Sequence, residues 1–131
     1  MARGLVDLEW LLNYELRGSV RYRRFVSIVV VACGDLRASP TELLANNLVR
    51  ESDEPFEIEA GYAIVMGETD RIGALTAVER FKRRCNGQTD LRFAVVSFPV
   101  DGYIAGELLT TAHRRLSRAR ALYPGAVVAT G

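Results

Sequence analysis

With 131 residues, the chain fills one domain and not two, and a domain of this size buries roughly 65–70% of its unfolded surface without disulfide or metal staples. Hydrophobic residues make up 49% and charged residues 25% of it, a balance that excludes intrinsic disorder. The 17 basic and 16 acidic side chains leave a formal charge of +1, which argues against the strongly cationic surface of a nucleic-acid polymer binder.

Leu5, Leu8, Leu12, Leu16 and Val20 recur at steps of three and four, so the periodicity predicts an amphipathic helix running toward Arg24, with Glu9, Glu15 and Arg21 on its outer side. Residues 25–33 (FVSIVVVAC) are β-branched and almost wholly apolar, the pattern of a strand covered on both faces, and Gly34-Asp35 ends it. Ser39-Pro40-Thr41-Glu42 combines an N-cap hydroxyl, a proline at the first helical position and a glutamate three residues after the cap, which predicts a helix over 40–50. Phe56-Glu57-Ile58-Glu59 alternates, Ala60-Gly61 offers a turn, and residues 62–66 (YAIVM) are apolar again: a β-hairpin.

Thr69 or Asp70 can cap a third helix whose inner face is Ala74, Ala77, Val78 and Phe81. Residues 91–98 (LRFAVVSF) read as a strand and Pro99-Val100-Asp101-Gly102 as a turn. Ile104, Leu108, Ala112, Leu116 and Ala119 form the stripe of a last helix, and residues 125–129 (GAVVA) a short final strand. The order predicts an α+β domain over 1–131: a ferredoxin-like βαββαβ core with a helix added before it and a helix and strand after it.

The chemistry is sparse. The longest apolar run, residues 25–33, falls far short of the ~20 residues of a membrane span, and the start, with Asp7 and Glu9, lacks the apolar core of a secretory signal. The two cysteines, Cys33 and Cys85, form neither a disulfide framework nor a metal spacing, which points to a reducing cytoplasm. Cys33 reads as a buried small hydrophobe, and Cys85 lacks a histidine near it in sequence to activate it. Glu57 and Glu59 share one strand face, read as solvated. Arg114, Arg115, Arg118 and Arg120 read as the solvated basic face of the last helix, able with Arg21, Arg23 and Arg24 to contact phosphate. No Walker-type loop or dinucleotide fingerprint supports a nucleotide cofactor, and the residues call for no resident cofactor or metal.

Several segments carry a resemblance that the element order supports. Glu15-Leu16-Arg17 with residues 21–28 (RYRRFVSI) is similar to the entry into the first strand of GGDEF domains, the fold of bacterial diguanylate cyclases. Residues 63–69 (AIVMGET) resemble the strand after the family's signature turn, Phe98-Pro99-Val100-Asp101-Gly102 the exit of its fourth strand, and residues 108–120 its last helix, with His113 where an aspartate is usual and Arg120 where a lysine is usual. The likeness covers nearly the whole chain.

The departures imply a degenerate member. In the family, GTP condensation uses divalent metal held by carboxylates at the end of the first strand and in the signature turn. Here Ala32 matches the first-strand aspartate, Gly34 matches another acidic position and Asp35 stands one residue late. The turn reads Ile58-Glu59-Ala60-Gly61-Tyr62, without the paired glycines or the acidic pair, and the guanine-recognising segment is shortened to residues 36–47. The resemblance therefore implies no catalytic residue, no metal ligand and no enzyme. It also implies one ligand site: family members carry an inhibitory Arg-x-x-Asp motif before the turn that binds cyclic di-GMP with an arginine of the following helix. Arg50-Glu51-Ser52-Asp53 and Arg80 match it, with one residue fewer before the turn and Pro55 within that spacing. Guanidinium groups suit phosphate and the guanine edge, and a carboxylate accepts guanine N–H groups.

Three functions follow, in this order. The first is an inactive cytoplasmic signalling module that binds another signalling protein or itself. The second is a cyclic di-GMP receptor using Arg50, Asp53 and Arg80, and the third a surviving nucleotidyl cyclase.

Overall fold

The computed structural model of the chain describes residues 4–22, 24–33, 54–58, 61–85 and 90–131. Its elements are α1 (Leu5–Tyr22), β1 (Val26–Cys33), β2 (Glu54–Ile58), β3 (Gly61–Gly67), α2 (Arg71–Cys85), β4 (Leu91–Phe98), α3 (Ala105–Arg120) and β5 (Val127–Val128). The helix expected over 40–50 lies outside the described residues.

The strands form one sheet in the order β2-β3-β1-β4-β5. β1 lies antiparallel between β3 and β4, β2 closes the hairpin with β3, and β5 alone runs parallel to its neighbour β4. The first four strands have the order of a ferredoxin-like core, with α1 ahead of it and α3 and β5 after it, as the sequence predicts.

Both faces of β1 are covered, as its unbroken apolar run requires. Val26, Ile28, Val30 and Ala32 pack with Leu8, Leu12 and Leu16 of α1 and Leu108, Ala112 and Leu116 of α3. Val29 and Val31 face the other way, onto Ala74, Val78 and Phe81 of α2. The start of α2 is set by Asp70, whose Oδ1 accepts from the Gly73 N–H at 2.8 Å, while the Thr69 hydroxyl turns back to the Gly67 carbonyl. Within the apolar layer on the α2 side, Ser27 and Ser97 stand opposite each other with hydroxyls 2.7 Å apart, and Ser27 donates to the Thr69 carbonyl.

Two residues of the last helix depart from expectation. Ile104 is its N-cap and is exposed, so Ala105 begins the buried stripe. Arg115, expected on the solvated basic face, is only 4% exposed. The reason lies in β5, which stops opposite Ala94 and leaves the edge of β4 from Val95 onward without a strand partner among the described residues. Arg115 Nη1 donates to the Val95 carbonyl at 2.7 Å. Asp101, in the turn after β4, accepts the Ser97 N–H on Oδ2 and returns its own N–H to the Ser97 carbonyl, both at 2.8 Å. The pair is joined by two hydrogen bonds, Nη1 to Oδ2 at 3.0 Å and Nη2 to Oδ1 at 2.8 Å, and Arg71 of α2 adds a third cationic contact at 3.1 Å. Side chains thus complete a strand edge that would otherwise offer bare N–H and C=O groups to another chain.

Burial works to raise the Asp101 carboxyl. The Arg115 hydrogen bonds, the Ser97 N–H and the charges of Arg115 and Arg71 outweigh it and hold the group below its usual range. A carboxyl whose pKa is lowered by folding contributes its full stability above the unfolded value of about 3.9 and loses it as pH falls through the lower folded value. The urea midpoint should therefore drop on acidification below about pH 4, and Asp101→Asn should flatten that part of the profile. At neutral pH, Asp101→Ala leaves a buried guanidinium without its partner and should cost roughly 3–5 kcal/mol in urea unfolding.

Candidate functional site

In antiparallel pairing, the C-terminal end of β1 meets the start of β3 on one side and the start of β4 on the other. Val31 lies opposite Tyr62, Ala32 opposite Arg92, and Cys33 opposite Leu91. The last bridged pair of the β2–β3 hairpin, Ile58 with Gly61, brings the turn to this same end of the sheet. This is the end of the sheet at which the resemblance to GGDEF domains implies metal and phosphate chemistry.

The described residues there do not fit a divalent metal. Ala32 is buried and offers a methyl group. Gly61 offers no side chain, and none can be added in place: a Cβ built on its backbone would overlap the Val31 carbonyl oxygen and crowd the main chain of Ala32. Only glycine allows the start of β3 to approach the end of β1 this closely. Tyr62 is half-buried and packs against the α2-side core. Among the described residues, no group of three or more His, Cys, Asp or Glu side chains is placed to hold a metal ion. Gly34, Asp35 and Glu59 lie outside the described residues.

One charged residue at this end was not marked by any sequence signal. Arg92 pairs with Asp90 through Nε to Oδ1 at 3.1 Å and Nη2 to Oδ2 at 3.3 Å. Its Nη1 donates to the carbonyls of Arg120 and Leu122, at 3.0 and 3.4 Å. A guanidinium at the last carbonyls of α3 satisfies acceptors that have no partner within the helix and complements the helix dipole. Arg92 is thus engaged in tying β4 to α3.

Of the three expected cyclic di-GMP contacts, only Arg80 is described, and it is exposed on α2. Arg50 and Asp53 lie outside the described residues, directly before the first residue of β2. Of the expected phosphate-contacting arginines, Arg115 is committed within the fold, while Arg24, Arg114, Arg118 and Arg120 are exposed. Besides the buried Arg115, Arg114 and Arg118 donate to the carbonyls of Gly131 and Thr130, and Arg24 pairs with Glu68 at 2.9 Å. Arg23 lies outside the described residues, as does the side chain of Arg21.

No protein-family model and no curated protein sequence matches the chain. Solved structures do. The GGDEF domain of Pseudomonas aeruginosa YfiN (TpbB) superimposes with a TM-score of 0.87 over 99% of this chain and 91% of that one, at 13% identity. The chain has the fold of a GGDEF domain. The active GGEEF domain of a Vibrio cholerae diguanylate cyclase matches this GGDEF-like fold at TM-score 0.81 and 11% identity, over 98% of this chain and 97% of that one. So does the diguanylate cyclase SiaD of P. aeruginosa, in complex with its activator SiaC, at TM-score 0.79 and 12% identity, over 95% of this chain and 57% of that one.

Within this GGDEF-like fold Gly61 is a packing residue as well as a turn residue. Gly61→Ala forces the β1–β3 backbones apart and should lower stability by about 1–3 kcal/mol in urea unfolding. Gly61→Glu, which would place an acid at the start of β3, should destabilise at least as much.

Proposed function

We propose that the protein is a non-catalytic signalling module of GGDEF-like fold that acts by contact with another protein or with itself. The observation that carries this reading is Gly61. The turn position at which the family places an acid has no side chain here, and the Val31 carbonyl fills the space that one would need. With Ala32 at the end of β1, the two strands that would clamp a metal–phosphate group supply no carboxylate from these positions. The core around them is intact, so the scaffold persists apart from the chemistry. A protein that contains this fold is known in a protein complex: SiaD, of whose chain this one covers 57%, is in complex with its activator SiaC.

The test is incubation of the purified chain with GTP and magnesium or manganese, with the products separated chromatographically. GTP should be recovered unchanged. Formation of a cyclic dinucleotide or release of pyrophosphate at a rate proportional to protein concentration would overturn the reading.

A second reading, compatible with the first, is a cyclic di-GMP receptor. It is favoured by Arg80, which stands exposed on α2 with its guanidinium outside the core, and by the Arg50-Glu51-Ser52-Asp53 motif. Titration calorimetry with cyclic di-GMP should give saturable heat that Arg50→Ala and Arg80→Ala each reduce by about tenfold or more in affinity, as loss of a charge-assisted hydrogen bond requires. Absence of heat at high protein concentration ends this reading and leaves the first in place.

A further inference from the structure

The outer side of α1 is left uncovered by the described chain. Leu8, Leu12 and Leu16 turn inward, and one helical turn apart on the opposite side stand Val6, Trp10 and Tyr14, exposed to 81%, 67% and 63%. The two rings are stacked, their centroids 5.7 Å apart and their planes within 10°. They therefore present one flat apolar platform with little side-chain freedom left to lose on contact. Aromatic residues on an exposed stripe are the composition of an interface centre and not of an ordinary helix surface.

We propose that α1 pairs antiparallel with α1 of a second copy of this chain across this stripe, a proposal that rests on the protein-contact reading above and names the partner. The charges of the helix choose the occupant and its direction. Among the described side chains of α1, Asp7 and Glu9 lie exposed in the first half and Arg17 in the second, while Glu15 is half-buried and turned toward Gly67 of β3. A parallel pair would set acid against acid and base against base. An antiparallel pair, with its two-fold axis level with residue 12, sets Trp10 of each copy against Tyr14 of the other. The same operation brings Arg17 level with Val6 and Asp7, so that its aliphatic stem covers Val6 while its guanidinium reaches toward Asp7. Each contact is made twice, as in any isologous dimer, so the stripe and its flanking charges are complementary to themselves. The two helix dipoles also oppose each other in this arrangement.

Trp10 is the sole tryptophan of the chain, so its fluorescence reports on the proposed interface directly. Molar mass by sedimentation equilibrium and Trp10 emission should be followed together as the chain is concentrated from low to high micromolar. The expected result is a rise from monomer to dimer mass and a blue shift of the emission with the same midpoint. Tyr14→Ala should weaken association about tenfold or more. Asp7→Arg should weaken it, and Asp7→Arg combined with Arg17→Asp should restore it, a pattern that a parallel pair cannot give. These positions are exposed, so the circular dichroism of each variant should match the parent.

A chain that remains monomeric with water-exposed Trp10 emission at all concentrations overturns the pairing, as does a dimer that forms with unchanged emission. If the monomeric chain instead binds a different protein, this pairing fails while the protein-contact reading stands. Turnover of GTP would strike at that reading alone.

Discussion

The Arg115–Asp101 pair is the contact on which the distal half of the domain is assembled. It closes the edge of β4 beyond the end of β5, fixes the turn into α3, and through Arg71 ties the first turn of α2 to the same carboxylate. A further bond from Arg115 Nε to the Gly131 carbonyl, at 3.3 Å, brings the C-terminal segment into the group. A buried ion pair is in general a weak source of net stability, because desolvation of both charges offsets their attraction. Here the pair also satisfies main-chain groups that no strand reaches, and that second task makes it hard to replace with apolar residues: two Leu side chains would fill the volume and leave the Val95 carbonyl and the Ser97 N–H without partners.

The two ends of the sheet are built on different terms. At the Val26–Phe98 end, carboxylate, guanidinium and hydroxyl groups are buried and bonded to one another. At the Cys33–Leu91 end, Gly61 brings the β3 backbone close to Val31 and Ala32, and Arg92 is bonded to the carbonyls of Arg120 and Leu122 at the end of α3. Both ends share the same strands and the same core. The apolar clusters on the two faces reach this rim through Ala32 on one side and Val31 and Leu91 on the other, so the rim serves the core with aliphatic side chains and close backbones.

Much of this architecture was legible in the sequence because it rests on periodicity and turn chemistry. The leucine stripe of α1, the unbroken apolar run of β1, the hairpin and the inner face of α2 each follow from a repeat of 3.6 or 2 residues, and the ferredoxin-like order follows from their succession. Arg115 was not legible. Its spacing, three residues after Ala112 and four before Ala119, places it at the edge of the inner face, unlike Arg114, but a guanidinium there reads as solvated. What makes its burial possible, the Val95 carbonyl left open by the short β5 and the Asp101 carboxylate, is a tertiary fact. Ile104 misled for the converse reason, since its apolar character continues the stripe although the chain turns before reaching the core. At the candidate site, the residue types at Ala32 and Gly61 could be read directly. The closeness of the β1 and β3 backbones that gives Gly61 its role could not.

The hydroxyl pair of Ser27 and Ser97 has a consequence for how the strands find one another. β1 and β4 are apolar on both faces, so a slip of one residue would exchange one set of valines for another and meet little resistance from hydrophobicity. The serines break that degeneracy. In the native alignment each hydroxyl meets the other, and Ser27 donates to the Thr69 carbonyl; in a shifted alignment of β4 the Ser97 hydroxyl would be buried against aliphatic carbon without Ser27 to bond. Two small polar side chains in an otherwise greasy layer act as an alignment mark, making the wrong pairings of the sheet costly at a point where the right one is satisfied.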